Sequence, residues 1–556
     1  MPKKNIPTKE KHAVKKTSKK EEVHSTHSDS HKLPIQPEIN VGLVGHVDNG
    51  KCIALDESIL INNRVLSGHE LKNMAISNGK LIDKSINESL YELDNLYTYS
   101  IDPNFNITRS KSKVFLQNYK GNLNYIKTKT GREIKLTKNH PLLVNRNGSL
   151  MWTPSDEIKE GDFIAVLRNL NIKSNNNEFF NEDYLTKLGN RYILLTKKDY
   201  QYIKNKTNNF TNFGKCELED FNKIKLLLRQ SAMSFAKNCK INPEYFWKMN
   251  RPKVYFPESI KNKIIKYVNS VEIESIKDNE ILFVLKKGYK YQFTKLKDIK
   301  LNSDFVKFLA FFNAEGTSSK TRIQLSQKNY REMSNYVLKY INSIGLKYKT
   351  YDNKDFHINS RPFVDYLIAK YNIKIGNNRT AGIPPKVLSL DKNLKKVYLR
   401  WFFTFENYIV YKKGRTAGIF LIQANKNNIN LLNYMLLEFG IFCTITQQEK
   451  YASNTKNKTK RIYYQLNISG KDNINNYLKE IGLEDKNKEK LLKTYLKSIY
   501  NRGKSRNIKN PIDVKILNNY ITKAFKGSIK KQIWYKNLEE VRKNGQASDF
   551  FIREII

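Results

Sequence analysis

The chain has 556 residues, long enough for three or more structural units rather than one core, and its 99 Lys and Arg against 53 Asp and Glu leave a formal charge of +46. Polyanions are therefore the first partners to consider, although a Lys- and Asn-rich proteome gives the same balance. Four cysteines without a CxxC pair exclude a zinc or disulfide framework, and no apolar run reaches the roughly 18 residues of a membrane helix or forms a secretion signal, so a cytoplasmic chain with no membrane partner is expected.

Eight of the first twenty residues are lysines, and residues 1–33 read as a disordered basic tail. From Ile39 the run INVGLVGHVDNGK predicts a buried strand followed by a Gly-rich turn. Gly45 to Lys51 fill seven positions of G-x-x-x-x-G-K-[ST], where backbone N–H groups cradle phosphates and the lysine reaches the terminal ones. The eighth position needs a Mg²⁺-holding hydroxyl and is Cys52 instead. Residues 34–51, with the wording QPEINVGLVGHVD, resemble the opening of translational GTPases, nearest the gamma subunit of archaeal initiation factor 2, with Asn49 where that family has histidine. The resemblance implies that Gly45, Asp48, Gly50 and Lys51 bind GTP and Mg²⁺ only in a host restored after removal of whatever begins at Cys52. Initiator tRNA and the ribosome would then be that host's partners.

Residues 52–185 predict a β-rich module: short apolar runs separated by turn signals, with hairpins at Thr130-Gly131 and Asn147-Gly148. The module opens with CIALDESILI at Cys52 and contains TKNHPLLV at Thr137 to Val144, followed by Trp152 and an EIKEGD turn. A buried cysteine or a strand-end histidine, taken singly, needs no function. In this order the blocks resemble those of inteins, whose splicing domain is the β-rich Hint horseshoe. The resemblance implies that Cys52 attacks the Lys51 carbonyl to convert the Lys51–Cys52 amide into a thioester, without a cofactor. It further implies that His140 protonates the departing nitrogen and that Thr137 and Asn139 polarise the carbonyl.

Residues 186–300 read as a linker or DNA-recognition region, in which Gln230 to Pro252 fits either a DNA-reading helix-turn-helix or two ordinary packed helices. Phe305, Phe308, Leu309 and Phe312 then recur at helical spacing, with Glu315 in the last turn and Gly316 as a C-terminal cap. The construction repeats 91 positions later, with Tyr398, Trp401, Phe402 and Phe405 on the stripe, Glu406 in the last turn and Asn407 as terminator. A carboxylate at a helix C-terminus opposes the dipole by up to about 1 kcal/mol, so each acid asks for a reason, and a bound cation supplies one.

The pair resembles the LAGLIDADG motifs of homing endonucleases, which implies an inserted α+β domain over 301–500 acting on double-stranded DNA. Glu315 and Glu406 would hold Mg²⁺ at the scissile phosphates, and Lys450 would either assist there or serve as a solvated or DNA-backbone lysine. Phe311 and Trp401 stand at the usual glycine position and Phe405 at the usual alanine, so a persisting fold with lost cleavage is one expectation. Residues 501–556 read as an incomplete return into the splicing domain, because the closing His-Asn and the host nucleophile after it do not follow. A separate C-terminal intein fragment acting in trans, a frameshift or premature stop, and an incomplete gene sequence all fit. Two further readings compete: a GTP-binding translation factor, as the N-terminus implies, and a basic nucleic-acid-binding protein without catalysis.

Overall fold

The structure, a computed structural model, describes residues 39–44, 52–102, 107–146, 149–172, 174, 176–179, 181–199, 201, 232–244, 258–270, 277–287, 290–377, 380–412, 416–451, 460–498, 509–511 and 546–548. The basic tail, Gly45, Asp48, Gly50, Lys51, residues 230–231 and 245–252, and most of 501–556 lie outside the described residues. Among the described residues no helix is long and apolar enough to cross a membrane.

The first part is a series of short antiparallel strands: β1 (Ile39–Val44), β2 (Ser58–Ile61), β3 (Arg64–Ser67), β4 (Lys80–Lys84), β5 (Glu88–Glu92), β6 (Tyr97–Ile101), β7 (Ile107–Lys111), β8 (Lys113–Asn118), β9 (Asn124–Lys127), β10 (Glu133–Leu136), β11 (Pro141–Arg146), β12 (Ser149–Pro154) and β13 (Phe163–Ile164). They form sheets in the orders β3-β2-β6-β7, β1-β8-β5-β4 and β12-β11-β13, with β9-β10 as a hairpin. Strand β1 pairs with β8 from Ile39 opposite Asn118 to Val44 opposite Lys113. A helix over Gly68–Asn78 starts at a capping box in which Ser67 and Glu70 satisfy each other's backbone N–H, and its Leu71 and Ala75 join Leu55, Ile59, Ile61, Val114 and Leu116 in a small core.

Both hairpin expectations have counterparts in the pairing. Arg146 lies opposite Ser149, leaving two residues between the strands. Lys127 lies opposite Glu133, and the turn between them uses Gly131 at φ +80°, where a side chain is disfavoured.

Strands β14 (Ile193–Leu195), β15 (Glu280–Lys287) and β16 (Lys290–Lys297) form one sheet. Leu170, Ile172, Phe179, Tyr192 and Phe283 belong to a second and much larger core, which also takes in Leu60 and Val65 of the β-rich part. Of the 230–252 segment, a helix over Ala232–Asn238 is described, and whether a reading helix follows falls outside the described residues.

The larger core is built by a duplication. The first motif helix (Ser303–Glu315) leads into β17 (Gly316–Ser319) and β18 (Arg322–Ser326), then a helix, β19 (Lys349–Tyr351), β20 (Asp355–Ile358) and a helix. The second motif helix (Lys392–Glu406) leads into β21 (Asn407–Lys412) and β22 (Thr416–Gln423), then the helix Lys426–Leu437, β23 (Thr444–Lys450), β24 (Arg461–Ser469) and two helices. The sheets run β17-β18-β20-β19 and β21-β22-β24-β23, the same order in both copies. Polar caps start both motif helices: Asn302 accepts from the Phe305 N–H, and Asp391 from the Leu394 N–H.

Their ends correct one expectation. Gly316 (φ −99°, ψ 154°) and Asn407 (φ −86°, ψ 154°) are extended rather than left-handed, because each helix passes directly into a strand whose first residue already needs β geometry. Between the copies, Phe311 and Phe405 stack with ring centroids 4.7 Å apart, and Asn313 Nδ2 donates to the Tyr398 hydroxyl at 2.9 Å. Near this interface Lys395 and Glu438 form a buried ion pair at 2.6 Å, a contact that burial makes conditional on both partners remaining.

The two parts of the chain meet at the tip of the β9-β10 hairpin. Arg132 donates to the Cys443 carbonyl and to Asn433 Oδ1, both at 3.1 Å, and lies 4.1 Å from the Phe442 ring centroid. The Ile445 N–H donates to the Thr130 carbonyl at 2.9 Å, and Lys426 pairs with Glu133 at 2.6 Å.

Candidate functional site

Cys52 is fully buried beside Thr137, 85 positions away in sequence. The Cys52 N–H donates to Thr137 Oγ1 at 3.0 Å. The Thr137 N–H returns a bond to the Cys52 carbonyl at 2.9 Å, and the Thr137 hydroxyl donates to the same carbonyl at 3.3 Å. An antiparallel bridge between Ile53 and Leu136 continues this pairing into β10. The hydroxyl expected to polarise the carbonyl before Cys52 thus contacts the nitrogen after it, the atom that leaves when the Lys51–Cys52 amide is cleaved. Lys51 itself lies outside the described residues.

His140 follows in a tight turn, its N–H donating to the Thr137 carbonyl at 3.0 Å. Ser155, buried, clasps that turn: its hydroxyl contacts the Thr137 and Lys138 carbonyls at 2.9 Å, its N–H donates to the His140 carbonyl at 2.9 Å, and it accepts from Asn124 Nδ2 at 2.8 Å. His140 is half-buried and Asn139 exposed, which separates two residues that the sequence reading grouped together. Further along, the EIKEGD turn is closed by Gly161 at φ +94° and by Asp162, which takes both prongs of the Arg146 guanidinium at 3.1 and 2.6 Å. Trp152 lies exposed on β12, opposite Leu143.

Two contacts at the nucleophile had no sequence signal. The Cys52 thiol donates to Gln117 Oε1 at 3.6 Å, and Gln117 Nε2 donates to Glu88 Oε1 at 2.7 Å. Glu88 and Gln117 are cross-strand partners on β5 and β8, a register that local alternation does not reveal. Burial, with a smaller push from the Glu88 charge, raises the Cys52 thiol to about 12. The resting sulfur is therefore a protonated thiol.

At the other site Glu315 and Glu406 are the last residues of the two packed motif helices, both half-buried. Burial raises the Glu315 carboxyl above its ordinary range, and a hydrogen bond from Gln327 Nε2 at 3.0 Å partly opposes that. The Glu406 charge raises the Tyr398 hydroxyl, whose first cause of elevation is its own burial. Among the described residues no group of three or more His, Cys, Asp and Glu is gathered as a metal site. Two half-buried carboxylates, one in surroundings that disfavour its charge, nonetheless fit a hard divalent cation whose other oxygens come from phosphate and water. Lys450 is exposed at the end of β23, opposite Arg461.

The family description "Intein splicing domain" matches residues 75–552. A probable translation initiation factor IF-2 of Methanocaldococcus jannaschii is 25% identical over 469 residues, covering 81% of this chain and 34% of that protein. A DNA polymerase of the same organism is 24% identical, covering 63% of this chain and 22% of that protein, and a replication factor C small subunit of Pyrococcus horikoshii is 33% identical over 22% of this chain and 14% of its own length. The chain thus spans about a third or less of these curated relatives. Among solved structures, variants of the homing endonuclease I-DmoI are 13% identical with a TM-score of 0.23, covering 32% of this chain and 95% of that one. Full-length DUF199/WhiA from Thermatoga maritima is 12% identical with a TM-score of 0.24, covering 44% and 69%.

Proposed function

The chain belongs to the intein splicing domain family, and from that premise we propose that Cys52 carries out the first step of protein splicing. Its sulfur attacks the Lys51 carbonyl, the amide nitrogen leaves with a proton from His140, and a thioester joins residues 1–51 to the remainder. The observation that supports this is the reciprocal bonding of Cys52 and Thr137, which holds the nucleophile's own amide nitrogen against a hydroxyl in a dry site next to the His140 turn. The relatives carry unrelated names while sharing only a fraction of their length with this chain, the pattern an element inserted into different hosts would leave.

In this reading the splicing part is the Hint horseshoe, and the duplicated part is a LAGLIDADG endonuclease domain. Glu315 and Glu406 hold Mg²⁺ at double-stranded DNA, where the cation would stabilise charge developing at a scissile phosphate. The host is a translation initiation GTPase, the factor 2 gamma subunit by its residues 34–51. Once spliced in the cytoplasm it would bind GTP through Gly45, Asp48, Gly50 and Lys51, and initiator tRNA and the ribosome after that.

Incubating the full chain with dithiothreitol releases a fragment ending at Lys51, and Cys52→Ala abolishes that release entirely; a wild-type band that stays intact overturns the proposal.

A further inference from the structure

Cys52 sits in a site that makes it a poor nucleophile unless its proton and its lone pairs are directed. The only side chain within hydrogen-bond reach of its sulfur among the described residues is Gln117, at 3.6 Å. A carboxamide offers either an oxygen or an NH₂ group to such a neighbour. Here chemistry decides, because Glu88 as a carboxylate can only accept. It takes the Nε2 hydrogen at 2.7 Å, so Oε1 must face the sulfur and the thiol must donate.

We propose that Gln117 is a further catalytic residue of the splicing site, aiming the Cys52 sulfur through its carboxamide oxygen, and that Glu88 is the positioning residue that fixes which way that carboxamide faces. This rests on the reading of Cys52 as the acyl acceptor. With the S–H hydrogen pinned to Gln117, the sulfur lone pairs are held in fixed directions rather than swept by rotation about the Cβ–Sγ bond. In the step itself the S–C bond to the Lys51 carbonyl carbon forms and the C–N bond to Cys52 breaks. The released amine takes its proton from His140 and the hydrogen lost from sulfur restores the imidazole, so no outside oxidant, reductant or co-reactant enters.

Glu88 has a second effect with a definite sign. The titratable groups carried by the strands and turn that pair about Cys52 are Glu88 on β5, Lys113 on β8, Lys135 on β10 with its partner Asp56, the half-buried His140 and exposed Lys138 of the turn, and Glu57 on the segment after Cys52. Of these, the charge that raises the thiol is that of Glu88. Removing it must lower the pH at which the thiol ionises.

The test uses the full chain and the dithiothreitol-driven release of residues 1–51, measured as rate against pH. Gln117→Leu is expected to lower the rate plateau on the order of tenfold, since small misplacements of a reacting atom carry penalties of that size or larger. Glu88→Gln is expected to displace the whole profile toward lower pH, and the same displacement is expected in the thiolate ultraviolet absorbance taken as a difference against Cys52→Ala. A purely structural role would leave both pH curves where they were. If the wild type releases fragment while Glu88→Gln superimposes on it in both curves, the charge effect of Glu88 is overturned; if Glu88→Leu, which removes the acceptor, folds and keeps the wild-type plateau, its positioning role is overturned; if Gln117→Leu folds and keeps that plateau, the role of Gln117 is overturned. Absence of release from the wild type would instead sink the splicing reading, a separate outcome.

Discussion

The two halves of this molecule build their sites by opposite means. In the β-rich part, Cys52, Thr137, Gln117 and Glu88 are joined by short polar contacts between strands far apart in sequence, above a small core. In the duplicated part, Glu315 and Glu406 ride on the ends of two helices locked by aromatic packing inside a large core. On the function proposed, a nucleophile that breaks its own backbone amide would thus be fixed by hydrogen bonds to that backbone, and a pair of carboxylates that meets a separate polyanion would be fixed by the rigidity of the helices carrying it.

The sharpest way to break the second arrangement is at Phe311. It and Phe405 fill positions where the resemblance called for a glycine and an alanine, and the structure shows why both can be large: the rings lie nearly parallel, 16° apart at 4.7 Å, across the helix pair. Each occupies the space the other would otherwise leave empty. Phe311→Ala should therefore destabilise the duplicated part by about 3–5 kcal/mol, as expected for a buried Phe truncation, measured by urea unfolding. A loss under about 1 kcal/mol would mean that the helices close over the gap and that the stack is not what separates them.

That contrast also explains what the sequence could reveal. The motif helices were legible because their stripes repeat at 3.6-residue spacing and are anchored by unmistakable apolar residues, Phe305 to Phe312 and Tyr398 to Phe405. Their ends were not, because left-handed and extended termini both tolerate Gly and Asn, and only the strand that follows decides. Cys52, Thr137 and His140 were legible as short ordered blocks. Gln117, Glu88 and Ser155 were not, since their roles depend on the register of β5 against β8 and on a turn folding back over β10, which are set by pairing of distant strands rather than by local pattern.

The contact between the halves is the next target. Arg132, at the hairpin tip whose strand β10 ends beside Thr137, presents two N–H groups to a carbonyl and an amide oxygen and stacks on Phe442. Arg132→Ala leaves those acceptors without this donor and is expected to cost about 1–3 kcal/mol, read as a lowered thermal midpoint. Arg132→Lys should recover little of it, because an ammonium lacks the planar fork and the stacking face. Full recovery by lysine would reduce the contact to a charge and weaken the view that geometry ties the halves together.

The smallest effect is also the one with a clear pH signature. Burial raises the Glu315 carboxyl above its ordinary value of 4.5, so the folded chain holds that proton more tightly than the unfolded chain does. For a raised group, the favourable contribution is complete at low pH, below the unfolded value, and is lost as pH rises through the folded value. At neutral pH the charged Glu315 is therefore a small net cost to folding. Glu315→Gln, which cannot ionise yet still offers an oxygen to Gln327, should be slightly more stable than the wild type at pH 7 in the presence of a chelator. The two chains should converge as pH falls toward about 3, where the carboxyl is protonated in both states. Mg²⁺ should then stabilise the wild type more than the variant, since the cation offsets a charge that only the wild type buries. Equal stabilities across the whole range, with and without Mg²⁺, would show that the carboxylate is as well solvated as any surface acid and would remove the electrostatic reason for placing a cation there.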